Sequence, residues 1–401
     1  MKRRRWHVAG IATLVAVLAG AGATAESSYG KVDRGVRAQN HTVKVGIIYS
    51  RTGLLSAFGG QYVQGLRLGL DYATKGTNRV GGHKIEITAI DDGGDPAKAV
   101  SAAKDLIGQG YKIIGGTVSS GVALQMAPLA AQNKVLYISG PAASDLVTGA
   151  NRYTFRSGRQ TIQDILTIKE ILGKGVGKKI VVFAQDTAFG QGNLAAVRTV
   201  LGGRGHTVSS ILVPLTAQDF TPFAQQAKQA KPDLLFVAWA GTTATAMWRA
   251  VDQQGVVQPG TTIATGLAER ATWSSYAPGI DFLSHYVSNA PKNKVNDWLV
   301  AKMKARNQTP DIFTPDGFVA AQMIVRAVQK GGDDVEKMIS GLEGWQFVGP
   351  KGQQRIRQAD HAMLQPMFQV RLRQRGGKFQ AVPVKTFSPG NLQPPVRPFG
   401  P

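Results

Sequence analysis

The 401-residue chain contains no cysteine. That excludes a disulfide framework, a thiolate metal site, a catalytic thiol and a lipid anchor on an N-terminal cysteine. Acidic residues are scarce, 25 against 47 lysines and arginines, which leaves a formal charge of +22. Histidine is scarcer still. The six residues His7, His41, His83, His206, His285 and His361 stand apart in the chain and form no metal-ligand spacing. No run beyond the N-terminus reaches the roughly 18 apolar residues that a membrane-spanning helix needs.

Motifs of catalysis are missing too. There is no G-x-x-x-x-G-K-[ST] phosphate loop. A serine nucleophile elbow is approached only by Thr117-Val118-Ser119-Ser120-Gly121, which lacks the first glycine. Gly190-Gln191-Gly192-Asn193-Leu194-Ala195 hints at a dinucleotide loop but starts several residues beyond its strand. Asp91, Asp92 and Asp95 could hold a cation; as part of a turn ending in Asp-Pro they read as turn and cap residues. The basic excess is spread along the chain. Its densest cluster, Arg371, Arg373 and Arg375, alternates with Leu372 and Gln374 like one solvated strand face. No nucleic-acid-binding pattern accompanies it, so nucleic acid is not an expected partner.

What is present begins with a targeting signal. Lys2-Arg3-Arg4-Arg5 precede an apolar core over 8–18 and an A-x-A site at Ala23-Thr24-Ala25. Residues 1–25 are therefore expected to be removed on export, and 26–40 to form a loose leader. Buried-strand and amphipathic-helix patterns then alternate. Strands are expected at 43–48, 84–90, 113–114, 135–138 and 153–156. A second series runs from Lys179, with strands at 180–184, 208–213, 234–238 and 261–264 and helices between them. Asp95-Pro96 and Asp219-Phe220-Thr221-Pro222 recur about 120 residues apart. The expectation is an α/β fold of two similar βα lobes with mostly parallel sheets. Lobe 1 takes 41–157 with 288–365, lobe 2 takes 158–287 with 366–388, and 389–401 is a proline-rich tail, disordered or extended.

In parallel sheets, ligands sit outside the carboxyl ends of the strands. Two loops of small residues fall at such ends. One carries Ser119 and Ser120 at the start of a helix; the other runs Ser139-Gly140-Pro141-Ala142-Ala143-Ser144. Hydroxyls, free N–H groups and a helix N-terminus suit a carboxylate. Phe58 joins them from the loop after the first strand. From the second series, Phe189, Trp239 and Glu269 also fall at strand ends. Aromatics plus one carboxylate, facing serines across a cleft, suit a small zwitterion with an apolar body. The rival readings are core packing for Phe189 and Trp239, and a surface charge beside Arg270 for Glu269.

The chain resembles the periplasmic solute-binding proteins of branched-chain amino acid ABC transporters. The resemblance covers roughly 41–385 and is carried by VKVGIIYSRTGLLSAFGGQYVQGLRLGLDYA, IDDGGDPAKAVSAAKDLI, IIGGTVSSGVALQMAPLA, LYISGPAASDL, YTFRSG, VVFAQDTAFGQG and DFTPFAQQAKQAKPDLLFVAW. It implies two lobes joined by a three-crossover hinge, with the ligand in the cleft between them. It implies that Ser119 binds the ligand's carboxylate and ammonium, that Ala142 and Ser144, or Ala143 in a shifted register, form the second loop, and that Phe189 and Trp239 match aromatic contacts. It places Glu269 near an acidic residue that pairs with the ammonium, although Gly266-Leu267-Ala268-Glu269-Arg270 departs from the family pattern. The function so implied is non-enzymatic: a monomeric receptor, without cofactor, delivering a branched-chain or other apolar amino acid to a membrane permease. Amides and aromatic carboxylates are alternative ligands. An exported serine hydrolase or a sensory ligand-binding domain would be rivals of another class.

Overall fold

The computed structural model describes residues 41–276 and 280–399. The signal segment and leader expected at 1–40 lie outside the described residues.

Strand β1 (Thr42–Tyr49) starts the first lobe with Val43, Val45, Ile47 and Ile48 buried. A strand that is apolar on both faces belongs in the middle of a covered parallel sheet. Helix α1 (Ser56–Thr74) follows, then the short hairpin β2 (Arg79–Val80) and β3 (His83–Asp91), helix α2 (Pro96–Gly108) and strand β4 (Ile113–Gly115). Asp95 caps α2, accepting from the amides of Ala97 at 2.7 Å and Lys98 at 3.3 Å, with Pro96 in the first turn. Helix α3 (Ser120–Asn133), β5 (Leu136–Ser139) and β6 (Thr154–Arg156) complete a six-stranded sheet ordered β2-β3-β1-β4-β5-β6. All its pairings are parallel except β2 with β3.

The chain then crosses to the second lobe at helix α4 (Thr161–Leu172). Strands β7 (Lys179–Gln185), β8 (Thr207–Val213), β9 (Leu234–Ala238) and β10 (Thr262–Thr265) alternate with helices α5 (Ala188–Val200), α6 (Thr221–Gln229) and α7 (Ala244–Gln253). They form a parallel sheet ordered β10-β9-β7-β8. After β11 (Asp281–Ser284) the chain returns to lobe 1. Helices α8 (Lys294–Lys304), α9 (Thr314–Gly331) and α10 (Val335–Leu342) pack there. Strands β12 (Gln346–Gly349), β13 (Gly352–Ile356) and β14 (Met363–Leu364) follow as a small antiparallel sheet. The third crossover leads to the hairpin β15 (Met367–Arg375) and β16 (Lys378–Phe387), which adds to β11 in lobe 2.

Two expectations change. The segment over 346–364, placed in lobe 1 without an assigned element, forms the β12–β14 sheet, with Phe347, Ile356 and Met363 in the lobe 1 core. The proline-rich tail is extended from Gln393 but anchored. Leu392 is fully buried in the lobe 2 core. Arg357 then donates to the carbonyls of Pro394 at 2.7 Å and Pro395 at 3.1 Å, and the Arg397 amide donates to Asp360 at 3.0 Å. Prolines cannot donate, but their carbonyls remain strong acceptors, and a half-buried arginine uses them.

Candidate functional site

Strand order places the site. In lobe 1 the chain steps out in opposite directions from β1 and β4; in lobe 2 it does so from β7 and β9. Loops diverge at such a switch point and leave a crevice. Ser119 and Trp239 lie in the loops after β4 and β9, and Phe58 and Phe189 in the first turns of the helices that follow β1 and β7, so the two crevices supply facing walls. Between them lies a cavity of about 470 Å³, within the usual range for a small-molecule site.

Of the residues singled out in the sequence, Phe58, Ser119, Ser120, Ala143, Phe189 and Trp239 line this cavity. Asp92, wholly buried, holds the lobe 1 loops in place. It accepts from Ser50 Oγ and Thr117 Oγ1 at 2.7 Å each, and from the Gly94 amide at 2.7 Å. Ser119 caps α3 by accepting from the Val122 amide at 3.4 Å. Its hydroxyl proton is left to point outward, beside the first free amides of the helix. Opposite, Trp239 stacks on Phe183, meets Phe220 edge-on and donates Nε1–H to Thr243 Oγ1 at 3.0 Å. Phe58 meets Phe313 edge-on with centroids 4.9 Å apart.

Ala142, Ser144 and Glu269 do not reach the cavity lining. Arg156 is the reason for the first two. It lies fully buried and donates to the carbonyls of Ala142 at 2.6 Å and Ser144 at 3.1 Å, turning both inward. Burial, the dominant cause, pulls its pKa down to about 10. Ser144 Oγ is used within its own turn, accepting from the Leu146 amide. Glu269 is buried, not a surface partner of Arg270, and it lies behind Ala268, at the head of the 3-10 turn over Arg270–Ser275. Burial, with Asp311 adding, holds its carboxyl above the ordinary range, and its Oε2 has no hydrogen-bond partner.

Three buried ionisable residues of the lining were not expected: Arg159, Asp164 and His285. Arg159 Nε donates to His285 Nε2 at 2.9 Å and lies 3.3 Å from Asp164 Oδ2. Its Nη1 donates to the Pro141 carbonyl at 2.8 Å. Burial opposes the charge of Asp164, but Arg159 and then His285 outweigh it and hold the carboxyl below its ordinary value. Burial first, then the Arg159 charge, pulls His285 below its ordinary value and keeps the ring neutral. The only sequence signal was an arginine just past a lobe 1 strand with an aspartate five residues on.

The lobes touch across the mouth. The Thr242 amide donates to the Leu54 carbonyl at 3.2 Å, and the Arg270 amide donates to Asp311 at 2.9 Å. The first contact depends on Gly241, whose φ is +87° and whose missing Cβ would sit 2.5 Å from Leu54 O. Gly241→Ala is expected to widen the closed form, seen as a larger radius of gyration in X-ray scattering at saturating ligand. An unchanged radius would mean that the contact does not govern closure.

Comparisons with known proteins agree with this architecture. The periplasmic binding protein family profile matches residues 42–378. The chain is 34% identical to an ABC-type branched-chain amino acid transporter protein of Rhodopseudomonas palustris, with a TM-score of 0.73 over 89% of this chain and 100% of that one. A solute-binding protein of an ABC transporter from the same species, in complex with 3,4-dihydroxybenzoic acid, is 25% identical, with a TM-score of 0.77 over 86% and 97% of the two chains. The Leu/Ile/Val-binding protein homolog 3 of Brucella melitensis is 25% identical over 296 residues, which are 72% of this chain and 79% of that protein. With two α/β lobes, three crossovers and a cleft at facing switch points, the chain belongs to the periplasmic binding protein family.

Proposed function

We propose that this protein is the exported solute-binding subunit of an ABC importer. It captures a small carboxylate with an apolar body, a branched-chain or other apolar amino acid first, and presents it to a membrane permease. The observation that carries this reading is the cavity between the lobes, with hydroxyls and a helix N-terminus on one wall and aromatic rings on the other. The named functions of the relatives support it. Ligand contacts with both lobes favour the closed state, and a permease that reads closure receives the signal. The reading is of a monomeric binder with no catalysis, no cofactor and no nucleic-acid partner, working in the periplasm after cleavage near Ala25.

A second reading, an aromatic carboxylate, is favoured by one observation. Asp164 is engaged by Arg159 and His285, and Glu269 is off the lining. No buried lining carboxylate among the described residues is left for an ammonium group. Within both readings Ser119, Ser120 and Ala143 hold the carboxylate, and Phe58, Phe189 and Trp239 hold the apolar body. Calorimetric titration with L-leucine and with benzoate separates the two readings. Ser119→Ala should weaken whichever ligand binds by about 1.5–3 kcal/mol, the worth of a hydrogen bond to a charged group, with the free protein still folded and its melting temperature lowered only by the lost helix cap. If neither compound nor any other apolar amino or aromatic acid raises the melting temperature, the reading fails.

A further inference from the structure

Arg159 comes from the first crossover and His285 from the second, so neither belongs to a lobe proper. Both are buried and both face the cavity. Arg159 Nε donates to His285 Nε2 at 2.9 Å, and Asp164 Oδ1 lies 3.3 Å from the same nitrogen, so the histidine and the aspartate together brace the guanidinium. The Arg159 guanidinium uses Nε and Nη1, and its Nη2 makes no hydrogen bond among the described residues. Arg159 is also the only cation among the described lining residues. It stands on the same loop as the serine wall, since Nη1 holds Pro141 O while the Ser144 amide holds Ser120 Oγ. Arg159 Nη2 is thus a charged donor at the cavity wall without an acceptor, and one is left to be supplied from the cavity.

Resting on the proposed capture of a small carboxylate, we infer that Arg159 Nη2 forms an anion seat on the hinge that receives the ligand's carboxylate together with the serine wall. The seat makes Arg159 a specificity-determining residue. It selects the ionised acid over its neutral amide, whatever else the ligand carries. Asp164 is a positioning residue: its carboxylate holds the guanidinium at Nε and leaves Nη2 for the ligand. Because Arg159 lies on a crossover, the ligand's charge is held by a segment that joins the lobes.

The test compares acids with their amides: L-leucine against L-leucinamide and benzoate against benzamide, by titration calorimetry. Wild type should prefer the acid in the pair it binds. Arg159→Gln keeps a donor for the Pro141 carbonyl but removes the charge. It should weaken the acid by about 10- to 100-fold and leave the amide within twofold, so that the acid-to-amide preference collapses. A purely structural role would weaken acid and amide alike, and that outcome overturns the inference while leaving the capture of a carboxylate intact. Failure of wild type to bind either acid overturns both. In ¹⁵N-arginine spectra of wild type, the Arg159 Nη signals should shift on adding the bound acid. This readout does not depend on the variant folding, and unmoved signals overturn the inference.

Discussion

Gly317→Ala should cost lobe 1 more stability than most core substitutions. Helices α1 and α9 approach through glycines on both partners. A Cβ on Gly317 would lie 1.8 Å from the Tyr62 carbonyl oxygen, and one on Gly65 would lie 1.8 Å from the Thr314 carbonyl oxygen. In each case the obstacle is backbone, which cannot rotate away as a side chain would. The helices must separate, and Leu66, Leu70, Val319 and Met323 lose contact within the same core. The expected cost is at or above the upper end of the roughly 1–3 kcal/mol typical of overpacking. Thermal and urea melts check it. Gly60→Ala on the same helix is the control. Nothing lies within 4 Å of its added Cβ, and alanine gains about 1 kcal/mol over glycine in a helix. Equal melts for the two variants would refute the close-approach account. Because α1 carries Phe58 and α9 follows Phe313, Gly317→Ala should also weaken ligand binding.

Lys351→Met is expected to destabilise by about 3–5 kcal/mol, the usual result of removing one member of a buried ion pair. Lys351 Nζ lies 2.6 Å from Asp316 Oδ1 and 3.0 Å from Gln365 Oε1, and the ion pair is wholly buried. Burial pulls the lysine below its ordinary pKa, and Asp316 resists that pull. Without the lysine, the Asp316 carboxylate in the first turn of α9 is left with no cation. Adding Asp316→Leu to Lys351→Met should recover most of the loss, since an apolar pair removes both desolvation penalties. Urea denaturation at neutral pH measures both. A double variant no more stable than the single one would mean that packing around the pair, not its charge, carries the effect.

The scaffold was legible because its signals are local. Strand β9 falls at its expected bounds, and Asp95-Pro96 caps α2 as read. Strand ends also placed backbone correctly: Phe189, Trp239 and Glu269 all follow lobe 2 strands. A strand end does not fix where a side chain points. Trp239 faces the cavity, whereas Glu269 opens a 3-10 turn that carries it behind the wall. The hinge cluster was illegible for another reason. His285 looked isolated among six histidines, yet it lies 2.9 Å from a residue 126 positions away. Nothing in the sequence marked Arg159 among the many cations of a basic chain. Only the crossing of segments between lobes buries it, and no local period records that crossing. The β12–β14 strands escaped because each is five residues or fewer, too short for alternation to stand out.

The C-terminal segment ties the lobes once more. Leu392 is rooted in lobe 2, while Pro394 and Arg397 are held on lobe 1. Two residue steps separate Leu392 from Pro394, and chain can span no more than about 3.3–3.6 Å per residue. That tether is taut after roughly 7 Å. Opening beyond it must first strip the Arg357 bonds from the proline carbonyls. The slack out to Arg397, five steps or about 17 Å, then sets a second stop at Asp360. The swing of the lobes is thus metered by chain length in two stages, with the wider stage reached only when Arg357 lets go.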